Sequence, residues 1–597
     1  MVMFCTTLIL TLCTTGLIKG AFTSYVSIVS QGVHDVASND SFSKLTLSET
    51  TSVRYRKPGL ICETTAGVQE FVGFVDLNDN SGNNATASYF FWFSEARHSA
   101  FTAPLTIWLN GGPGSDSLLG LFGGMALTGV PKIGPCKVTE ELNTTFNPHS
   151  WSEVSNVLFL SQPVGVGFSY QSQNGRRSSG WVTETTEKAA VQAWDVLQAF
   201  MHALPTMDPV ITTKTVHLWT ESYGGHYGPS FFRYFHGMNE AIKSGSMTGI
   251  PLNLGVLGIS SGIIDALAQF PKFPEFAVNN TYNISLVPGE VSRFMDFACH
   301  MPNGCINQIQ QCREEYQRDK QKALRTPITA DGAIRYNKMS AFFTNRTSPR
   351  TIARCAEATY MCRDNVEGPY YFYGSRNMYD IRRPAQDPIV SQSFVDFVNL
   401  QTTRAALGVD SIPELAAAAP ASFAYAPQSE TVYNAFARAG DYVFPSFLDD
   451  LDYLLENGIR VLLVHGDADY IGNWFGGEAV SLALTYTQSF LFQATPYTPL
   501  SFDDPDSPDY GSGNRKGTVQ GKVREYGNLS FAVVYDAGHF LPVDKPALAL
   551  ELFRRAVTNM DLPTGRDPTN TTAVPFVPDS PLPVVDAKTT LPSSPHM

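Results

Sequence analysis

Three residue types that together carry out nucleophilic acyl transfer occur in order along the chain. Ser222 stands in Thr220-Glu221-Ser222-Tyr223-Gly224-Gly225, after the β-branched, apolar run Thr215-Val216-His217-Leu218-Trp219 and before the aromatic stretch Ser230-Phe231-Phe232-Arg233-Tyr234-Phe235. A strand feeding a tight turn and then a helix lifts a serine out of the sheet, because small neighbours let the backbone take a strained geometry. The usual pattern is Gly-x-Ser-x-Gly; here Thr220 holds the first small position and Gly224 the second. Taken alone, the stretch suits a nucleophile elbow and an ordinary loop serine equally well. A serine nucleophile also needs a base to take its proton and an acid to orient that base. Asp467 and Asp469 follow the run Arg460-Val461-Leu462-Leu463-Val464-His465, and His539 follows Phe531-Ala532-Val533-Val534-Tyr535. Spacing alone does not choose between the two aspartates.

Each of these groups sits just past the carboxyl end of a strand-like run, and the order Ser, Asp, His is that of α/β-hydrolases. The elements needed to position them are legible as alternating apolar runs and helical periodicities. Glu70–Asp76 and Tyr89–Phe93, separated by an Asn/Gly-rich turn, predict a hairpin at a sheet edge. Pro104–Leu109 predicts a strand running into Asn110-Gly111-Gly112-Pro113-Gly114, whose glycines let the backbone approach a ligand and aim N–H groups at it. Asn156–Leu160 and Leu254–Ile259 predict further buried strands. Ala190, Val191, Trp194, Leu197 and Phe200 predict a helix over about 184–203, and a last helix runs from Pro546 to about Asn559. Strands alternating with helices imply a mostly parallel, doubly covered sheet. The expected organisation is a leader over 1–20, an N-terminal extension over 21–60, a core in two parts over 61–264 and 442–562, a mainly helical insertion over 265–441 shaping the substrate pocket, and a disordered Pro/Thr/Ser-rich tail over 563–597.

The chain has 597 residues, 43% hydrophobic, 12% aromatic and only 16% charged, which describes a protein able to bury a large core. Its formal net charge of −13 argues against nucleic acid or an anionic membrane as partner. The apolar segment Phe4–Ile18 is too short to span a bilayer and reads as a secretory signal peptide. No later stretch is long and apolar enough to span a bilayer, so no membrane contact is expected after cleavage. Eight glycosylation sequons, at Asn39, Asn84, Asn143, Asn279, Asn283, Asn345, Asn528 and Asn570, support export, with an extracellular destination favoured over a vacuolar one. Seven cysteines remain beyond the leader, which suggests three disulfides and one free thiol. Cys305 and Cys312 have the same separation as Cys355 and Cys362, which permits the nested pairs Cys305–Cys362 and Cys312–Cys355; the third pair is set down as Cys62–Cys136.

Five separated motifs then carry a resemblance. Trp108-Leu109-Asn110-Gly111-Gly112-Pro113-Gly114-Ser115, Gln162-Pro163-Val164-Gly165-Val166-Gly167-Phe168-Ser169-Tyr170, Glu221-Ser222-Tyr223-Gly224-Gly225-His226-Tyr227, Gly466-Asp467-Ala468-Asp469 and Gly538-His539-Phe540-Leu541-Pro542 together resemble the serine carboxypeptidase family, closest to its secreted fungal branch, over roughly residues 60–560. The resemblance implies an α/β-hydrolase fold and a secreted exopeptidase acting on peptide or protein C-termini. It implies Ser222 as nucleophile, His539 as general base and acid, and Asp469, in preference to Asp467, as the orienting acid. It further implies an oxyanion hole from the backbone N–H groups of Gly112 and Tyr223. Recognition of the substrate's terminal carboxylate falls to Asn110, the Gly111 N–H and Glu221, with Trp108 and Phe540 shaping the pocket wall. A glutamate donates to a carboxylate only when protonated, so this arrangement implies best activity at acidic pH. The reaction needs no metal or organic cofactor.

Relatives carry a second carboxylate-binding glutamate in a short segment before Gly-Pro-Cys. Here that segment, Gly123–Ile133, is longer and has no acid. Three readings are open: weakened carboxylate recognition, Lys132 acting as a cationic clamp, or a misplaced exon boundary, which the well-fitting flanks favour. Ser161 and Ser115 stand where relatives have Asp and often Cys, and Gly472 where relatives can carry a free cysteine. The rival functions are an acyltransferase on the same scaffold and a catalytically impaired secreted binding protein. Oligomeric state is not legible in the sequence.

Overall fold

The computed structural model describes residues 42–78, 85–123, 132–174, 176–177, 183–325, 348–388, 390–412, 415, 424–503, 505 and 518–566. Sixteen strands are described: β1 (Ser43–Thr46), β2 (Thr51–Arg56), β3 (Glu70–Asn78), β4 (Ala85–Ser94), β5 (Leu105–Leu109), β6 (Cys136–Val138), β7 (Thr144–Phe146), β8 (Asn156–Leu160), β9 (Tyr170–Gln173), β10 (Arg176–Arg177), β11 (Thr215–Glu221), β12 (Asn253–Ser260), β13 (Arg460–Gly466), β14 (Thr498–Phe502), β15 (Thr518–Tyr526) and β16 (Leu529–Val534). All but β6 and β7 join one sheet, ordered β1-β2-β3-β4-β8-β5-β11-β12-β13-β16-β15-β14, with β9 paired to β4 and β10 to β9 off this path. Its centre, β8-β5-β11-β12-β13-β16, is wholly parallel. Strands such as β11 and β13 are buried along their whole length, as expected where helices cover both faces. The fold is that of an α/β-hydrolase.

Two buried clusters lie on the two faces of this sheet. One gathers the apolar stripes of α1 (Thr186–Met207) and α2 (Gly224–Lys243), including Trp194, Leu197, Phe200, Phe231 and Phe235. Thr185 caps α1 by accepting the Lys188 N–H, a contact of the kind that contributes about 1 kcal/mol. The other gathers Trp108, Trp151, Trp219 and Phe553, with the Trp151 and Phe553 rings stacked 4.2 Å apart.

Between β12 and β13 the described residues are largely helical. Helices α3 (Gly289–His300), α4 (Cys305–Arg325) and α5 (Pro349–Cys362) carry the cysteines. Disulfides join Cys305 to Cys362 and Cys312 to Cys355, the nested pattern, and Cys62 to Cys136. Cys299 is a buried free thiol. Cross-links of this kind typically contribute ~2–4 kcal/mol.

Three sequence expectations change. The segment before residue 60 is not a plain extension: β2 pairs antiparallel with β3, and β1 antiparallel with β2. Consequently the β3–β4 hairpin is interior and not at the edge, with β4 pairing β8 on its far side. The antiparallel strands β14 and β15 at the other edge went unread, since their faces alternate partly exposed polar residues with few apolar ones. The signal-peptide reading, residues 1–20, and the tail reading of 563–597 beyond residue 566 lie outside the described residues.

Candidate active site

Strand β11 ends at Glu221, and α2 begins at Gly224, leaving Ser222 and Tyr223 as the turn. Ser222 takes φ +65°, a left-handed conformation that costs a non-glycine residue on the order of 1 kcal/mol or more and must be held by its surroundings. Its N–H donates to the Ser260 carbonyl at 2.9 Å, and its carbonyl accepts the N–H groups of Gly225 and Ile263, each at 2.9 Å. The following glycines are sterically required. A Cβ on Gly224 would lie 2.6 Å from Thr220 Cβ, and one on Gly225 would lie 2.4 Å from the Ile263 carbonyl. Tyr223 stands at the N-cap of α2, where the first backbone N–H groups have no intrahelical acceptor and face an anion favourably.

The glycine loop after β5 lies directly against this elbow. A Cβ on Gly111 would sit 2.3 Å from Tyr223 N and 2.6 Å from the Glu221 carbonyl, so no residue but glycine permits the approach. Gly112 adopts φ +106°, within the range open to glycine. The loop therefore brings Gly111 against the Tyr223 N–H, with Gly112, the other expected oxyanion donor, next in the chain.

His539 and Asp469 meet after β16 and β13. His539 Nδ1 is 2.7 Å from Asp469 Oδ2, with the side chains 1% and 0% exposed. The second carboxylate oxygen accepts the Gly472 N–H at 3.1 Å. The His539 N–H donates to the Tyr379 carbonyl at 2.7 Å, and its own carbonyl accepts from Ser261 Oγ at 3.1 Å. Residues 260 and 261 thus hold the Ser222 backbone on one side and the His539 backbone on the other. Ser222 Oγ and His539 share no hydrogen bond among the described residues, and such contacts often close only with substrate bound. Asp467 points elsewhere: it accepts from the Tyr282 hydroxyl at 2.6 Å, and burial pushes its carboxyl up to about 6.

A second polar group adjoins the elbow. Trp108 Nε1 donates to Asn110 Oδ1 at 2.7 Å, which fixes the amide so that Asn110 Nδ2 donates to Glu221 Oε1 at 2.9 Å. Trp108 is 0% exposed, so it does not form pocket wall as expected; it orients Asn110 from behind. Phe540 is half-buried and stacked on Tyr379, ring centroids 5.3 Å apart. Lys132 Nζ lies 2.6 Å from Glu221 Oε1 and 4.0 Å from the Phe540 ring centroid. Burial lowers the Lys132 ammonium from its ordinary value, and the Glu221 carboxylate opposes this.

Sequence reading missed Tyr379, which packs edge-on against the His539 ring at 5.0 Å and accepts its N–H. It also missed Asp441, the acceptor for the Tyr223 hydroxyl at 2.7 Å. Ser161, in the place of an expected acid, donates to the buried Asp116 at 2.6 Å, and Ser115 donates to Gln428. Of the glycosylation candidates, Asn143, Asn279 and Asn283 are exposed and Asn528 is half-buried; Asn39, Asn84, Asn345 and Asn570 lie outside the described residues.

A nucleophile elbow, a glycine loop against it and a buried His–Asp pair at the carboxyl ends of parallel strands define a serine hydrolase of the α/β-hydrolase class. The chain belongs to the serine carboxypeptidase family, whose sequence profile matches residues 58–559. It is 34% identical over 557 residues to carboxypeptidase S1 homolog B of Arthroderma otae, covering 86% of this chain and 76% of that one. It is 31% identical over 498 residues to carboxypeptidase S1 of Penicillium janthinellum, covering 83% and 97%. Among solved structures, a prohormone-processing carboxypeptidase from Saccharomyces cerevisiae matches with a TM-score of 0.55 and 20% identity, covering 85% of this chain and 95% of that one, a likeness of fold. No helix among the described residues is long and apolar enough to cross a membrane.

Proposed function

We propose that the protein is an exported exopeptidase that removes single residues from peptide and protein C-termini through an acyl-enzyme on Ser222. Ser222 Oγ attacks the carbonyl of the last peptide bond while His539 Nε2 takes its proton. Asp469, on the other ring nitrogen, fixes the tautomer and stabilises the imidazolium. The oxyanion is received by the N–H groups of Gly112 and Tyr223, each such donor contributing about 3 kcal/mol of transition-state stabilisation. His539 returns the proton to the departing amine, the terminal amino acid leaves, and water resolves the ester by the same steps in reverse. The observation that carries this reading is the 2.7 Å His539–Asp469 pair, set across residues 260–261 from a serine held at φ +65°. Export is supported by the apolar leader, the sequons and the three disulfides.

The acidic optimum implied by the family rested on a neutral Glu221. The structure sets Lys132 Nζ 2.6 Å from Glu221 Oε1, and an acidic preference is not part of this proposal.

The test is release of free amino acid from N-blocked dipeptides by the purified protein and by Ser222→Ala. Release by the first and not the second, with labelling of the first alone by a serine-directed phosphonate, is the expected result. Equal rates for both proteins would sink the reading.

A further inference from the structure

The Lys132–Glu221 pair is unusual in its cost. Both side chains are almost fully buried, at 3% and 1% exposure, and burying two charges is repaid only when geometry and further hydrogen bonds satisfy them. Here they are not fully satisfied. Among the described residues Glu221 Oε2 has no hydrogen-bond partner, although Oε1 takes both Asn110 Nδ2 and Lys132 Nζ. An ammonium has three donors, and the described contacts of Lys132 are one hydrogen bond, to Glu221, and the face of Phe540. Glu221 is the charged group facing Lys132. Because Glu221 directly precedes Ser222, the incompletely satisfied cation lies one residue from the serine that would attack the last peptide bond. A purely structural ion pair has no reason to keep spare donors at that position. A site for a substrate anion does.

We propose that Lys132 is the specificity-determining cation that binds the substrate's terminal carboxylate. This rests on the carboxypeptidase reading above. The carboxylate enters between the Lys132 ammonium and the Asn110 amide, sharing the ammonium with Glu221. Phe540 shields the ammonium from water on one side, which strengthens the attraction. Glu221 acts as a positioning residue that holds the ammonium in place. Carboxylate recognition then rests on a cation, and Lys132 is a functional substitution for the acid that Gly123–Ile133 lacks.

The experiment compares kcat and KM for N-blocked dipeptides with a free terminal carboxylate against the same dipeptides amidated, at pH 5.0, 6.0 and 7.5. The wild type is expected to prefer the free acid at all three values. Lys132→Gln is expected to raise KM for the acid by about tenfold or more and to lower the acid-to-amide preference by a similar factor, with Lys132→Arg restoring most of it. Lys132→Glu is expected to recover acid binding at pH 5.0 and lose it by pH 7.5, because two facing carboxyls share a proton only at low pH. An unchanged acid-to-amide preference in a cooperatively unfolding Lys132→Gln protein overturns the proposal. So does loss of kcat alone in both substrate series. If Lys132→Gln does not fold, Lys132→Arg and Lys132→Glu decide: the same pH profile in both overturns it. Serine-dependent release by wild type that is indifferent to Lys132 overturns this inference and leaves the carboxypeptidase reading standing. No release by wild type overturns both.

Discussion

The Tyr223 hydroxyl donates to Asp441 Oδ2 at 2.7 Å in a fully buried site. Asp441 also accepts the Thr186 N–H at 3.0 Å and its hydroxyl at 2.6 Å, so one carboxyl ties together the elbow, the start of α1 and the end of the helical insertion. The backbone N–H of Tyr223 is one of the two proposed oxyanion donors, and this phenol is what anchors the residue from its far end. Tyr223→Phe keeps that N–H but leaves Asp441 a donor short. Stability by urea unfolding should fall by ~1–3 kcal/mol, the cost of an unmet buried polar group, and kcat should fall more than KM changes. Unaltered stability and kcat would show the phenol to be incidental.

The two aspartates after β13 should separate cleanly by mutation. Asp469→Asn removes the acceptor that fixes the His539 tautomer, and kcat should fall on the order of 10³–10⁴ with KM little changed, by analogy with the same change in other triads. Asp467→Asn alters the contacts with the Tyr282 hydroxyl and the Ala537 backbone, none of them with His539, and steady-state kinetics should show a far smaller loss. The reverse ranking would reassign the triad.

The parallel centre of the sheet was readable because its strands are short, unbroken apolar runs ending in turn residues, as Arg460–His465 and Phe531–Val534 show. The edges were not, since Ser43–Thr46 and Thr518–Tyr526 expose much of their length and carry no apolar alternation that distinguishes them from loop. The elbow, the glycine loop and the His–Asp strand ends were visible as local motifs. Lys132 was legible only as one of three readings of the Gly123–Ile133 segment: its partner Glu221 is 89 positions away, and nothing in Pro131-Lys132-Ile133 announces an ion pair. Tyr379 was equally silent, because it holds His539 through a backbone carbonyl that any residue type supplies. The role of Trp108 was misjudged for a related reason. Its side-chain type fits a pocket wall, and only packing shows that it faces inward.

His217 should make stability fall at acidic pH. It is buried on β11, where Nδ1 accepts the Val256 N–H at 2.8 Å, so the ring is neutral and a second proton would set two donors against each other. Burial accordingly pulls its titration down to about 3. The unfolded chain, with an ordinary value near 6.5, binds the extra proton first. The stability His217 contributes is therefore complete above about pH 6.5 and is lost progressively as pH falls toward 3, on the order of 3–5 kcal/mol in all. Chemical unfolding at pH 7.5, 6.0, 5.0 and 4.0 should show a gap between wild type and His217→Gln that narrows as pH falls. A gap that does not narrow would exclude His217 as the source.

Gly111→Ala tests the contact between the glycine loop and the elbow. The added methyl would meet Tyr223 N at 2.3 Å, the Glu221 carbonyl at 2.6 Å and Gly224 N at 2.7 Å, all backbone atoms that cannot swing aside. The loop must retreat, and Gly112 retreats with it, opening the space between the two proposed oxyanion donors. Overpacking of this kind typically costs ~1–3 kcal/mol of stability, and a displaced oxyanion donor costs on the order of 10²-fold or more in kcat. The expected result is a folded protein with kcat reduced by about that factor. Gly289→Ala is the control: it stands at the start of α3, where the nearest atom to a new Cβ is Arg293 Nη1 at 3.6 Å, and both activity and stability should survive it. A Gly111→Ala protein with wild-type kcat would mean that the loop does not form the oxyanion hole.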